Sequence, residues 1–165
     1  PFMVCYNTPM TPEIACYLAG LLDGEGYFSF FKRDKPTRGY HYIRYEAAVT
    51  LVMTTRTFME EIAQLVPYGG GTVGRNARTL QGRALPAWRL KWSSNAAVLL
   101  CRDIVPYLRL KRQHAELIIA LADLKQSAQS ERIGQGRRFP QHVVDFQDAM
   151  ALEFRKLNHR GQPRP

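Results

Sequence analysis

The sequence has few cysteines and no apolar run of membrane-spanning length. Its three cysteines, Cys5, Cys16 and Cys101, are odd in number and widely spaced, which argues against a disulfide framework and predicts buried free thiols in a reducing compartment. The four histidines show no zinc-ligand spacing. No apolar stretch reaches the roughly 18 residues of a spanning helix, and residues 1–10 lack the basic start of a signal peptide. We therefore expect a soluble, intracellular protein of the cytoplasm, nucleoid or an organelle, with no membrane partner.

Acidic residues are also scarce. The chain of 165 residues carries 23 lysines and arginines against 14 acids, a net charge of +9, and no acid occurs between Ile62 and Arg102. This balance favours a polyanionic partner over acidic small molecules, and we expect no small-molecule substrate. Hydrophobic residues make up 45% of the chain, enough for the core of one globular domain.

The most informative segment is Leu18–Gly26, which reads LAGLLDGEG. Thr11 is a plausible N-cap and Pro12 fits the first helical position, so we predict a helix that runs to about Asp23 and is ended by Gly24 or Gly26. Carboxylates at the negative end of a helix dipole are unfavourable by roughly 0.3–1 kcal/mol each. A cation, most simply a divalent metal held by oxygen ligands, would offset that charge. An ordinary acidic turn between a helix and a strand is the alternative for the last four residues alone.

One face of this helix has almost no side chains. Cys16, Ala19 and Gly20 form it, and a face this small lets a second backbone come close. Because a glycine inside a helix costs roughly 1 kcal/mol relative to alanine, close approach is a reason to keep Gly20.

The remaining pattern predicts an α+β fold with the order αββαββα, a mainly antiparallel sheet, and C-terminal helices. The predicted divisions are an N-terminal extension at 1–10, a core at 11–126, a basic loop at 127–139, a helix at 140–158 and a disordered tail at 159–165. Alternation places one set of residues from both hairpins, most of them basic or polar, on the face away from the core. These are Ser29, Phe31, Arg33, Lys35, Arg44, Glu46, Ala48 and Thr50 on the first hairpin, and Asn76, Arg78, Arg89 and Lys91 on the second.

Two basic hairpins on one sheet predict a nucleic-acid interface, since a twisted ribbon enters the DNA major groove. A solvated charged face is the alternative for either strand taken alone. A one-residue slip of register would invert the assignment, and the second hairpin is the less certain of the two.

The nine-residue segment, the αββαββ order and the run from Pro106 to Gln113 resemble the LAGLIDADG homing endonucleases, and in particular their single-motif, intron-encoded branch. The resemblance spans Thr11 to Lys125. It implies a homodimer that packs the two signature helices together through Cys16, Ala19, Gly20 and Asp23, with Asp23 mainly structural. It also implies that Glu25 and the Gly24 carbonyl bind metal, Mg²⁺ or Mn²⁺ with Ca²⁺ as a non-catalytic substitute.

The same resemblance places Lys111 close to the metal-bound water and the scissile phosphate. Thr55 stands where relatives have a solvent-positioning glutamine, and Met59 where they often have a basic residue. The implied function is a site-specific double-strand DNA endonuclease that hydrolyses phosphodiesters at a long pseudo-palindromic site and promotes intron mobility. Two alternatives remain open: a non-cleaving binder on the same scaffold, either an intron maturase or a transcriptional regulator, and an unrelated basic RNA-binding domain that would stack bases on Tyr27 and Phe31.

Overall fold

A computed structural model describes residues 10–37, 40–76, 86–131 and 139–159, and gives the backbone alone for residues 33–37, 40–44 and 159. The described part contains five helices and four strands in the predicted order. They are α1 (Pro12–Glu25), β1 (Gly26–Thr37), β2 (Tyr40–Met53), α2 (Arg56–Leu65), β3 (Thr72–Arg75), β4 (Trp88–Ser93), α3 (Asn95–Ile104), α4 (Arg112–Ser127) and α5 (Gln141–His159).

The four strands form one sheet in the order β1-β2-β4-β3, and all three pairings are antiparallel. The sheet and the α+β class are therefore as predicted. Val49 of β2 pairs with Phe28 of β1 and with Trp92 of β4, and all three are buried in the hydrophobic core. Since side chains alternate along a strand, the neighbours of these residues lie on the opposite face, which we call the open face.

The first helix begins and ends close to the predicted positions. Thr11 is its N-cap and Pro12 its first residue, but Thr11 makes no side-chain capping bond. The helix continues two residues beyond Asp23 and ends at Gly26, whose N–H donates to the Leu22 carbonyl. A Cβ at Gly26 would lie 2.8 Å from the Leu22 Cα and from its carbonyl oxygen. Only glycine fits here, so Gly26 fixes the turn from α1 into β1.

The C-terminal helix α5 packs against the β1–β2 hairpin. Phe154 contacts Phe30, which stacks on Tyr45 at 5.2 Å between ring centroids. The Tyr45 hydroxyl and the Lys32 ammonium both donate to Asp148 and lower the pKa of that carboxyl. These contacts brace two long strands from the core side.

Several predicted segments lie outside the described residues. They are nearly all of the N-terminal extension, Arg78 in the second hairpin, residues 132–138 of the basic loop, and residues 160–165. In the described part, no helix has the length and apolar character needed to cross a membrane.

Candidate functional site

The end of α1 presents one acidic side chain to solvent. Glu25 is the last residue of the helix and is exposed, as is Gly24 before it. The last turn of α1 contains no basic residue, so the helix itself supplies nothing to balance its negative end. That charge is balanced from another part of the chain.

Lys111 provides the missing cation. Its Nζ donates to the carbonyls of Leu22 at 2.7 Å, Asp23 at 2.8 Å and Gly26 at 2.5 Å. Partial burial lowers the Lys111 pKa, while the charges of Asp23 and Glu25 act in the opposite direction. Lys111 therefore caps the C-terminus of α1.

Asp23 makes the converse set of contacts. Its carboxylate accepts the backbone N–H groups of Arg109 at 2.7 Å, Leu110 at 3.2 Å and Lys111 at 2.9 Å. These groups lie where the chain enters α4, at the positive end of that helix, which favours a carboxylate. Asp23 and Lys111 thus form two reciprocal caps that join the end of α1 to the start of α4.

The reciprocal caps engage Asp23 but not Glu25. Among the described residues, no group of three or more histidine, cysteine or acidic side chains could hold a metal ion. One chain therefore offers a carboxylate and a nearby carbonyl at Gly24, which are hard oxygen donors suited to Mg²⁺ or Ca²⁺ but too few to hold either. The donor chemistry fits such a cation only if a second chain and a phosphate group complete its ligand set.

The structure separates the residues predicted to lie on the packing face of α1. Cys16 and Gly20 are exposed, together with Glu13, Tyr17 and Gly24. We call these five residues the exposed α1 face. Ala19 is completely buried in the core of its own chain, and its place in a dimer interface stays a prediction. The carboxylate of Asp23 accepts hydrogen bonds from its own chain. Tyr17, which the apolar spacing of α1 groups with Leu18 and Leu22, is exposed instead of buried.

Thr55 is the N-cap residue of α2 and is exposed, with no side-chain capping bond in the described structure. Next to it, the Arg56 guanidinium lies 4.8 Å from the Trp88 ring centroid and donates to Glu60 at 2.8 Å. Met59 is fully buried in the core. It therefore takes no part at the surface where relatives were expected to have a basic residue.

The strand register brings the predicted interface residues to one face. Ser29 pairs with Ala48, Phe31 with Glu46 and Arg33 with Arg44. Thr50 pairs with Lys91, and Arg89 with Val52 and Gly74. Asn76 follows β3 in the same alternation, and its N–H donates to the Ala87 carbonyl. The side chains of Arg33, Lys35 and Arg44, and the whole of Arg78, lie outside what the structure describes.

The residues on the open face are not equally accessible. Arg89 is exposed and Lys91 is half-buried, whereas Ala48 and Thr50 have no exposed surface. The Lys91 ammonium lies 5.4 Å from the Phe31 ring centroid, a cation–π contact of about 0.5–1 kcal/mol. Tyr27, Val52, Thr72 and Gly74 share this face by register; the alternation that identified the other residues could have identified these.

Comparisons with known proteins agree with this geometry. No protein-family model matches the sequence, and no curated protein is significantly similar to it. Among solved structures, the homing endonuclease I-CvuI in complex with its target has a TM-score of 0.64 at 17% identity, over 93% of this chain and 87% of that one. The archaeal intron-encoded homing endonuclease I-Vdi141I, complexed with DNA, has a TM-score of 0.66 at 15% identity, over 92% and 87%.

A third structure carries the motif in its name. The LAGLIDADG homing endonuclease I-GzeII in complex with a DNA target has a TM-score of 0.55 at 16% identity, over 86% of this chain and 44% of that one. The resemblance found in the sequence is thus matched by the structure, and this chain has the fold of the LAGLIDADG homing endonucleases.

Proposed function

We propose that this protein is a site-specific, metal-dependent DNA endonuclease that acts as a homodimer. The observation that carries the proposal is the end of α1, where Asp23 and Lys111 satisfy each other's helix termini while Glu25 remains exposed. A carboxylate at the negative end of a helix is favoured by nearby positive charge; Lys111 supplies part of that charge, and a bound metal ion would add to it. The similar structures are DNA complexes of homing endonucleases, which supports the same chemistry here.

The exposed α1 face supports the dimer. Gly20 lies at its centre, and a Cβ there would meet no atom of the described residues within 4 Å. The space is therefore not needed by the chain's own fold, and packing against the same helix of a second copy would use it. Two copies would bring two Glu25 carboxylates and two Gly24 carbonyls to a shared site.

Mg²⁺ or Mn²⁺ bound there would activate water and stabilise the leaving 3′ oxygen of a phosphodiester, and Ca²⁺ would bind without supporting cleavage. Glu25 and the Gly24 carbonyl would hold the cation. Lys111 would keep the α1 terminus in place and add positive charge near the phosphate. Thr55 would orient solvent through its hydroxyl.

The open face of the sheet would bind the DNA. Arg89 and Lys91 would contact phosphates or guanine edges in the major groove, and Glu46 would accept from a cytosine amino group. Two copies related by a twofold axis would read a long, roughly palindromic site. Cleavage at such a site would promote the mobility of an intron that carries the gene.

A selection for cleaved DNA tests this proposal. The protein is incubated with Mg²⁺ and a pool of duplexes with a long randomised centre, and cut molecules are captured by their new ends and sequenced. We expect a recurrent pseudo-palindromic site. On that site, Glu25→Gln should bind with unchanged affinity but lose cleavage, whereas Glu61→Gln, the same change at an exposed position on α2, should cut normally.

A non-cleaving binder on the same scaffold is the second candidate, because the solvent-positioning glutamine is replaced by Thr55. It predicts selective retention of duplex DNA without any cut product in Mg²⁺ or Mn²⁺. Retention of single-stranded RNA in preference to duplex DNA would instead support the RNA-binding alternative.

A further inference from the structure

Thr50 has an unusual position at the middle of the open face. It lies on β2 between Tyr27 of β1 and Lys91 of β4, and no part of it is exposed. Its hydroxyl has no hydrogen-bond partner among the described residues. Buried hydroxyls normally have a partner, and leaving one unsatisfied destabilises the folded state. A buried hydroxyl of this kind suggests that a ligand supplies its hydrogen-bond partner when the ligand is bound.

The Lys91 side chain leans across this face. Its backbone is level with Thr50, whereas Phe31 is level with Glu46, four residues away along β2. Because the Lys91 ammonium lies against the Phe31 ring, its side chain must cross β2 above Ala48, which is also fully buried. The aliphatic stem of Lys91 therefore leaves β4 beside Thr50 and passes over Ala48. In the part of the chain that the structure describes, a cation–π contact with Phe31 holds the ammonium there, and a phosphate group would compete strongly with it.

We propose that Thr50 reads an A·T base pair in each half-site, and that Lys91 leans across this face until DNA draws the ammonium to a phosphate. The proposal rests on the DNA-binding function above. The Ala48 and Thr50 methyl groups would meet a thymine methyl group, and the Thr50 hydroxyl would donate to thymine O4 or accept from the adenine amino group. DNA would then supply the partner that the hydroxyl lacks in the free protein.

Binding selection tests the proposal. The wild type, Thr50→Val and Lys91→Met are each used to enrich duplexes from a randomised pool in Ca²⁺, and base preferences are compared position by position. Thr50→Val has nearly the same volume but no hydroxyl, and Thr57→Val makes the same change at an exposed position on α2. Should Thr50→Val not fold, Thr50→Ala removes the same hydroxyl.

We expect Thr50→Val to lose at least about fivefold of its preference for A·T at one position in each half-site, with other positions unchanged. Lys91→Met should bind more weakly to all sequences, keep that preference, and show a salt slope smaller by about one. Thr57→Val should match the wild type. In the absence of DNA, Thr50→Val should be no less stable than the wild type, since it removes an unpaired buried hydroxyl.

Three outcomes would overturn the inference. An unchanged preference in Thr50→Val would show that the hydroxyl reads no base, and loss of the same preference in Lys91→Met would make Lys91 the reader. A marked loss of stability in Thr50→Val would show that the hydroxyl has a partner in the free protein. If the wild type enriches no duplex at all, the proposed DNA-binding function fails as well, so the two failures are distinguishable.

Discussion

Removing the Lys111 ammonium should destabilise the protein far more than removing an ordinary surface lysine. In Lys111→Met the aliphatic stem stays, and three hydrogen bonds of 2.5 to 2.8 Å to the end of α1 are lost. A hydrogen bond to a charged group contributes roughly 1.5–3 kcal/mol to stability. The cost of burying the ammonium, which its lowered pKa indicates, offsets part of this stabilisation. The net contribution of the three hydrogen bonds is therefore taken as that of about one to two such bonds.

The expected loss for Lys111→Met is therefore about 3 kcal/mol, including roughly 0.3–1 kcal/mol for the cation at a helix C-terminus. For a protein of this size each kcal/mol lowers Tm by about 2–4 °C, so Tm should fall by about 6–12 °C. Urea unfolding followed by circular dichroism gives the free energy of unfolding directly. The slope with urea should not change if the unfolded state is the same.

Lys156→Met is the matched control. Lys156 donates to Glu153 at 2.6 Å, and both side chains are about half exposed, so loss of the Lys156 ammonium should change stability by less than about 0.5 kcal/mol.

Asp23→Asn should lower the free energy of unfolding by about 1–2 kcal/mol, because it weakens the opposite cap. In the double variant the losses should be less than additive, because both caps hold the same junction. A Lys111→Met variant within about 1 kcal/mol of the wild type would refute this reasoning.

Three further predictions follow from burial, backbone conformation and charge. Burial lowers the pKa of His114, so the unfolded chain binds the proton more readily and stability should fall as pH drops below about 6.5. The urea midpoint of His114→Gln should fall less over the same pH range. Parallel plots of urea midpoint against pH for the wild type and the variant would contradict this. Gly70 has φ +78°, and a Cβ there would lie 2.5 Å from the Ala96 Cβ, so Gly70→Ala should lower the free energy of unfolding by about 2 kcal/mol. A Cβ at Gly74 would meet no described atom within 4 Å, so Gly74→Ala should lower it by less than about 0.5 kcal/mol. Equal thermal midpoints for the two variants would refute this. Arg89→Ala should weaken DNA binding and reduce the salt slope by about one, while Arg102→Ala should change neither; an unchanged Arg89→Ala would remove Arg89 from the interface.

The regular elements could be predicted because each rests on a local pattern. Alternation along β2 and β4 identified the open face, and the register confirms it, since Thr50 pairs with Lys91 and Val49 with Trp92. Thr11, Pro12 and Gly26 likewise marked the ends of α1. These signals depend only on neighbours in sequence.

The remaining features depend on contacts between distant residues. Asp23 and Lys111 are 88 residues apart, so no local pattern could show that their side chains cap each other's helices. Ala19 and Gly20 are equally small, but successive positions on a helix point about 100° apart; one faces the core and the other solvent. The contact of Lys91 with Phe31 depends on how far a lysine side chain reaches across a strand.

The proposed cleavage site requires two copies to meet through the exposed α1 face, and sedimentation velocity tests that directly. At micromolar concentration the wild type should sediment with twice the chain mass of 18.9 kDa. Gly20→Arg should sediment as a folded single chain, because a Cβ at this position meets nothing within 4 Å among the described residues and arginine improves helix propensity, while Gln64→Arg should remain a dimer. A wild type that sediments as a single chain, both free and on DNA, would contradict the account.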